Sequence, residues 1–194
     1  MYAYLQGKFT YKSPAQVYVD VNGLGYEVNI SLHTFSHIQN LEGGKLFTYL
    51  QVKEDAHTIY GFFEKSEKEM FVLLIGVSGV GAATARMMLS SLKPEEVSRA
   101  IFQGNVKLLE SVKGIGRKTA ERLVLELRDK TGKQIPGSSI LSQGSNSLEQ
   151  DALNALISLG ISRQQAEQSI QKTILAEPQI VQLEDLIKKS LKAI

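Results

Sequence analysis

The sequence contains no cysteine and no tryptophan, and only four of its 194 residues are proline. Without a thiol it can form no disulfide, no cysteine-ligated zinc or iron–sulfur site and no cysteine nucleophile, so a disulfide-stapled secreted domain is excluded. It also lacks any apolar run near the roughly 18 residues that span a bilayer. Residues 1–8 show no basic stretch leading into an apolar one. We therefore expect a cytoplasmic protein with no membrane partner.

Charged residues make up 22% of the chain, an ordinary share, but the two signs are unevenly distributed. The net charge of +2 by itself indicates no polyanionic partner. Residues 1–63 hold 4 basic and 5 acidic side chains, residues 64–134 hold 13 and 9, and residues 135–194 hold 5 and 6. The positive charge lies in the middle segment, although an excess of this size is also typical of solvated helix surfaces.

Residues 1–63 have the period of short strands. Val17, Val19 and Val21 alternate with polar residues, and Asn22-Gly23 follows as a turn pair that tolerates positive φ. Similar alternation elsewhere in this segment predicts about five strands. Five strands are enough to close a small β-barrel of the OB type.

From Glu64 onward the apolar residues recur with helical spacing, and the segment contains a repeat. Residues 77–85 match residues 112–120 at a distance of 35 positions, and each copy places a Gly-hydrophobic-Gly turn between two predicted helices. This arrangement is a tandem helix-hairpin-helix. It is also compatible with two simple glycine-capped helix junctions, the alternative that a single copy would leave open at about even odds.

The residues of the repeat favour a phosphate-binding site. Glycines let the backbone approach a ligand closely, and the free N–H groups at the start of the next helix attract an anion. Backbone donors would hold a nucleic-acid strand without reading its sequence. The second turn is predicted to be the stronger site because three cations surround it. The candidate DNA-binding residues are Ser78, Gly79, Val80, Gly81, Lys113, Gly114, Ile115, Gly116, Arg117 and Lys118.

The C-terminal part begins with a segment rich in glycine, serine and asparagine, residues 133–147, which predicts a flexible linker. Residues 148–194 return to helical spacing and predict a three-helix domain, a size that often serves for docking. The predicted division is therefore a barrel at 1–63, the hairpin domain at 64–132, the linker, and the three-helix domain.

Catalytic and metal-binding motifs are missing. Gly76 and Gly81 have P-loop spacing, but Ala82 and Ala83 replace the required lysine and hydroxyl residue. His33 and His37 are four residues apart, but we expect no acidic or cysteine ligand to accompany them, which favours ordinary surface or partly buried histidines. We expect no catalytic site, no metal and no cofactor.

Three stretches together carry a resemblance to a known family. They are residues 23–28 (GLGYEV), residues 52–56 (VKEDA) leading to Tyr60-Gly61-Phe62, and residues 114–123 (GIGRKTAERL). With these motifs in this order, the sequence resembles the RuvA family, the Holliday-junction-binding subunits of the bacterial branch-migration complex.

The resemblance implies an α+β multidomain fold with an OB-type barrel, a tandem helix-hairpin-helix domain and a UBA-like three-helix domain. It implies a homotetramer, or two tetramers that enclose the DNA, holding a four-way junction for recombination, DNA repair and the SOS response. The non-ATPase subunit would recruit RuvB, a hexameric AAA+ ATPase, through residues 148–194. Glu54 and Asp55 match the family's acidic pin. By the residues alone, that pair would be a solvated turn.

Two other functions use structural units of the kinds predicted for this sequence. Base-excision glycosylases and NAD-dependent ligases also contain helix-hairpin-helix units, but the sequence has no cysteine for a cluster, no Lys-x-Asp-Gly motif and too little chain for a base-flipping pocket. The second rival is a general single-stranded or structured DNA-binding repair protein that uses the barrel. Its barrel would need exposed aromatic residues in a basic groove, whereas we expect most of the aromatic residues to lie in the core.

Overall fold

The structure is a computed structural model that describes residues 2–131, 145–177, 179–180 and 182–193. The chain folds into two compact units. The first begins with the elements β1 (Tyr4–Lys12), β2 (Gln16–Val21), β3 (Leu24–Ile30), α1 (Leu32–Ile38), β4 (Gly43–Val52) and β5 (His57–Phe62). It continues with α2 (Lys65–Ile75), α3 (Ala82–Ser91), α4 (Pro94–Phe102), α5 (Val106–Glu110) and α6 (Arg117–Thr131). The second contains α7 (Ser145–Ser158), α8 (Arg163–Ala176) and α9 (Leu183–Lys192).

The five strands form a closed barrel in the order β1-β2-β3-β5-β4. All neighbours are antiparallel except β3 and β5, which run parallel. The predicted turn joins β2 to β3, with Asn22 at φ 53° and Gly23 at φ 89°, the positive values that a tight hairpin turn requires. Val17, Val19 and Val28 are fully buried inside. The prediction of a five-stranded barrel is confirmed.

Helix α1, between β3 and β4, is an element that the sequence analysis missed. Ser31 caps its start by accepting a hydrogen bond from the Thr34 N–H at 3.0 Å. Its buried residues are Thr34 and Ile38, a single i, i+4 pair. Seven residues with one such pair give too weak a periodic signal to predict a helix.

The barrel and the helices of the first unit share a core around Phe71 of α2. The Phe71 ring contacts Tyr49, Tyr60 and Phe62 from β4 and β5, with ring centroids 5.5, 5.1 and 4.9 Å away. The same cluster of buried side chains extends through α3 to α6 as far as Leu127. The barrel and the hairpin helices therefore pack together through one shared core within the first unit.

A buried carboxylate ties α1 to α2. Glu67 is fully buried and accepts hydrogen bonds from the hydroxyls of Ser31 and Thr34, the latter at 2.6 Å. Thr34 Oγ1 in turn accepts a hydrogen bond from the Phe63 N–H at 2.9 Å. Burial raises the pKa of Glu67, and the hydrogen bonds from Ser31 and Thr34 offset part of that rise.

The second unit is a three-helix domain, as predicted. Its core contains Leu153, Leu156, Ile170 and Leu186 from all three helices. Ser162 caps α8 by accepting a hydrogen bond from the Gln165 N–H, as the sequence indicates. Helix α7 begins at Ser145, three residues inside the predicted linker.

The domain boundaries stay predictions, and most of the linker, residues 132–144, lies outside the described residues. None of the helices that the structure describes is both long enough and apolar enough to cross a membrane.

The raised pKa of Glu67 predicts a pH-dependent stability. The folded protein retains a proton that the unfolded chain releases near pH 4.5, so the free energy of unfolding should fall as the pH rises above that value. The slope can reach at most about 1.4 kcal/mol per pH unit. Glu67→Gln should remove this dependence, and urea denaturation between pH 4.5 and 8 measures it.

Glu69→Gln is the matched control, because Glu69 is a half-exposed carboxylate on the same helix. It should retain the pH dependence of the unchanged protein. The prediction would be contradicted if the free energies of unfolding of the unchanged protein and of Glu67→Gln differed by the same amount at every pH.

Candidate nucleic-acid interface

The two glycine turns have the same backbone geometry. Gly79 and Gly114 both adopt φ 93°, a conformation that side chains with a Cβ rarely take. In each turn the apolar residue between the two glycines donates a main-chain hydrogen bond to the carbonyl three residues earlier, from Val80 N to Val77 O and from Ile115 N to Val112 O, both 3.0 Å. The repeat in the sequence is therefore a repeat in structure.

The two turns pack against each other reciprocally. A Cβ built on Gly79 would lie 3.7 Å from Thr119 Oγ1, and one built on Gly114 would lie 3.6 Å from Thr84 Cγ2. Thr84 and Thr119 occupy equivalent positions in the two copies. Each turn thus rests on the first helical turn of the other hairpin, which fixes the spacing between them.

The second glycine of each turn, in contrast, has open space beside it. Gly81 has φ −82° and ψ 165°, values open to any residue, and Gly116 also lies outside the positive-φ region. A Cβ on either would meet nothing within 4 Å among the described residues. The backbone conformation and packing do not require glycine here, whereas the close approach of an outside group would.

The helix starts beside these glycines present N–H groups. The first main-chain bonds of the two helices run from Ala85 N to Gly81 O and from Ala120 N to Gly116 O, both 2.9 Å. The N–H groups of the three residues before Ala85 and before Ala120 precede these bonds and are available to a ligand. Together with the positive end of the helix dipole they suit a phosphate.

Cations surround the second turn. Lys113, Arg117 and Lys118 are all exposed there. The Arg117 guanidinium bonds to Glu121 at 3.0 Å, and this hydrogen bond raises the pKa of Arg117. Because an exposed ion pair of this kind is worth little, Arg117 can exchange Glu121 for a phosphate.

Glu54 and Asp55 lie at the tip of the β4–β5 hairpin. A 2.9 Å bond from Lys53 N to Ala56 O closes the turn, and both carboxylate residues are exposed. The pair is therefore presented to solvent on a two-stranded extension of the barrel.

Comparison with known proteins identifies the family. Family models match residues 1–61 (RuvA N terminal domain), 71–129 (SAM-like Helix-hairpin-helix tandem) and 147–194 (RuvA, C-terminal domain). The chain is 49% identical over 192 residues to the Holliday junction branch migration complex subunit RuvA of Christiangramia forsetii, with 99% of both chains covered. Proteins of the same name from Cytophaga hutchinsonii and Flavobacterium psychrophilum are each 46% identical, again over 99% of both chains.

The chain belongs to the RuvA family. The resemblance drawn from the three sequence stretches is confirmed, as is the combination of an OB-type barrel, a tandem helix-hairpin-helix and a C-terminal RuvA domain.

The predicted contact residues of this RuvA family member divide by burial. Gly79, Gly81, Gly114 and Gly116 are exposed, as is Ser78. Val80 and Ile115 are only about 5% exposed and belong to the shared core. Of these two residues only main-chain atoms can face a ligand, because their side chains hold the turns in place.

Arg122 is a candidate that the sequence analysis missed. It lies on α6, in the second hairpin, yet its Nη1 donates a hydrogen bond to Ser78 O of the first turn at 3.0 Å. The side chain is half exposed. The first turn has alanines where lysine would supply charge, so Arg122 brings a cation to it from 44 residues away. Arg122 lies in the GIGRKTAERL stretch, but the sequence alone does not show that this arginine reaches the first turn. The contact between the two turns is needed to see it.

The expectation that no acidic ligand accompanies His33 and His37 is wrong, because Glu64, which is distant from them in sequence, has a ligand atom within 4.8 Å of theirs. The expectation that most of the aromatic residues lie in the core is confirmed, since most of them are buried in the core clusters or packed against them. Tyr2, Tyr4, Tyr11 and Tyr18 are among the exceptions, with exposed fractions between 38% and 51%.

The two kinds of glycine predict opposite effects of alanine. Gly114→Ala should lower the free energy of unfolding by about 1–2 kcal/mol because of its positive φ. Gly116→Ala should leave stability unchanged or raise it by up to about 1 kcal/mol, but should weaken DNA binding since the new methyl group occupies the space for a phosphate. Urea denaturation and fluorescence anisotropy with labelled DNA measure the two effects. Unchanged DNA affinity in Gly116→Ala would contradict the phosphate site.

Proposed function

We propose that this protein binds four-way (Holliday) DNA junctions without reading their sequence and acts as a non-ATPase subunit of a branch-migration complex in DNA recombination and repair. The observation that carries this proposal is the reciprocal packing of the two hairpin turns, which presents two sets of backbone donors at a fixed spacing. The name carried by its relatives in Christiangramia forsetii and Cytophaga hutchinsonii supports it.

Backbone recognition suits a junction because the shape of a four-way junction, rather than its base sequence, distinguishes it from duplex DNA. Main-chain N–H groups and lysines contact phosphates and carry no sequence information. A homotetramer, or two tetramers on opposite faces, would supply one copy of the paired turns to each arm of the junction. We place this assembly in the cytoplasm, the compartment of bacterial chromosomal DNA.

The central experiment compares a four-way junction with linear duplex of the same sequence in gel-shift titrations. We expect preference for the junction and an affinity that falls linearly with salt on logarithmic axes. Lys118→Ala should weaken binding to all junction sequences alike and reduce the salt slope by about 1 for each contacting chain. Lys130→Ala, an exposed lysine at the other end of α6, is the control and should change neither quantity. Equal affinity for junction and duplex would reject the proposal.

The acidic pair has a separate role in this proposal. Carboxylates at Glu54 and Asp55 repel phosphate, by about 1 kcal/mol for a pair of unit charges 4 Å apart in water. Four copies would place eight carboxylates at the centre of a junction, where they would keep paired strands apart and guide them outward.

Neutralising that pair should alter selectivity rather than abolish binding. Glu54→Gln combined with Asp55→Asn should keep junction binding, raise the affinity for linear duplex and so reduce the ratio between the two. Glu42→Gln, an exposed carboxylate before β4, should leave the ratio unchanged. Loss of junction binding in the double variant would count against the role of an acidic pin.

Residues 148–194 are proposed to recruit a RuvB-like hexameric AAA+ ATPase, which would supply the ATP hydrolysis. Support comes from the surface of the three-helix domain, where Leu175 is 82% exposed and Leu159 64% exposed. Such side chains contribute little to the core and are accessible to a partner.

Deleting residues 148–194 should preserve junction binding and abolish stimulation of the motor's ATPase. Leu175→Ser in the full chain should reduce stimulation at unchanged junction affinity. Leu125→Ser is the matched control, because Leu125 is 83% exposed on α6. Stimulation that survives the deletion would place the motor contact elsewhere.

A further inference from the structure

Three side chains with metal-binding atoms meet where α1 faces the start of α2. His33 and His37 lie on α1, and Glu64 immediately precedes α2. One ligand atom from each lies within 4.8 Å of the others. His33 Nε2 and Glu64 Oε2 are 3.8 Å apart.

The His37 ring is held with one nitrogen ready to bind. Its Nδ1 lies 2.8 Å from the carbonyl oxygen of His33, and a ring nitrogen facing a carbonyl carries the proton. In the neutral ring Nε2 then keeps its lone pair. A hydrogen bond from the second ring nitrogen to a main-chain carbonyl is a common support for a metal-binding histidine. Stacking on Phe63, with centroids 4.8 Å apart at 16°, further orients the ring.

The buried ring of His33 has a nitrogen atom without a partner. Its side chain is only 15% exposed, and its Nε2 is buried without a hydrogen-bond partner among the described residues. Buried polar atoms normally have a partner, so an orphaned one calls for an explanation. A cation held between His33 and Glu64 would satisfy it.

We propose that His33, His37 and Glu64 bind one late first-row divalent cation, of which Zn²⁺ is the representative. Two imidazole nitrogens and one carboxylate form a ligand set that Zn²⁺ accepts, with its fourth position open to water. Zn–N and Zn–O bonds of about 2.0–2.2 Å require the three ligand atoms to draw closer than they now lie. Glu64 is 42% exposed, so its side chain is free to move toward the two imidazole rings.

The site would join the two halves of the first unit. His33 and His37 belong to the helix inserted in the barrel, whereas Glu64 stands at the entry to the hairpin helices. An ion bound to both would reinforce the Glu67 hydrogen bonds, which connect the same two helices. Because the unfolded chain lacks this arrangement, the ion should stabilise the folded state in proportion to its occupancy.

The test uses the full-length protein, stripped of metal with a chelator and titrated with Zn²⁺ by isothermal titration calorimetry. We expect one Zn²⁺ per chain and a Tm that rises with Zn²⁺ concentration. His37→Ala and Glu64→Gln should each weaken binding at least about tenfold, since loss of a direct ligand should cost no less than loss of an outer-shell partner. Co²⁺ should give the absorption of a four-coordinate ion in the unchanged protein, with that absorption lost in both variants.

The third histidine of the chain provides the control. His57, exposed at the start of β5, lies outside this group of ligands, and His57→Ala should bind Zn²⁺ like the unchanged protein. Loss of binding in His57→Ala would place the ion at the β4–β5 turn and overturn the proposal. Unchanged affinity in His37→Ala, unchanged affinity in Glu64→Gln, or no Zn²⁺ binding by the full-length protein would also overturn it.

Discussion

The contact between α2 and the barrel is the interaction on which the rest of the first unit depends. Phe71 fits among three aromatic rings of β4 and β5, and Glu67, one helical turn earlier, holds α1 through two hydroxyl groups. Removing a buried phenylalanine of this kind typically costs 3–5 kcal/mol. Helix α2 leads directly into the first glycine turn, so its seat on the barrel also positions both hairpins.

The second hairpin takes its position from the first. The reciprocal contacts of Gly79 with Thr119 and Gly114 with Thr84 make the pair nearly symmetric in shape. The charges are not symmetric, because the lysines cluster at the second turn and the first has alanines instead. Arg122 reduces that difference by reaching across to Ser78. Because the two hairpins pack side by side, an arginine of the second hairpin also lies at the first turn.

Sequence reasoning predicted the parts of this molecule that have local, periodic signals. Alternating valines and the Asn22-Gly23 pair indicate the barrel hairpin, and the 35-residue repeat indicates the two glycine turns, because both patterns lie within short stretches of chain. The resemblance to the RuvA family added the expected assembly and the expected role of the Glu54-Asp55 pair.

The features that were missed depend on contacts between distant residues. Helix α1 was too short for a periodic signal, and Glu64 joins His33 across 31 positions. Arg122 is similarly far from Ser78. Contacts between residues that are far apart in sequence form only in the folded chain, so local composition cannot predict them.

The two glycines of each turn are under different evolutionary constraints. Positions 79 and 114 are constrained by backbone conformation, so selection for folding alone would keep them glycine. Positions 81 and 116 experience no such constraint within the described structure. A lineage that kept the fold but lost its ligand would be free to acquire alanine there. The pattern of substitution at these two pairs therefore records whether a relative still binds what this surface binds.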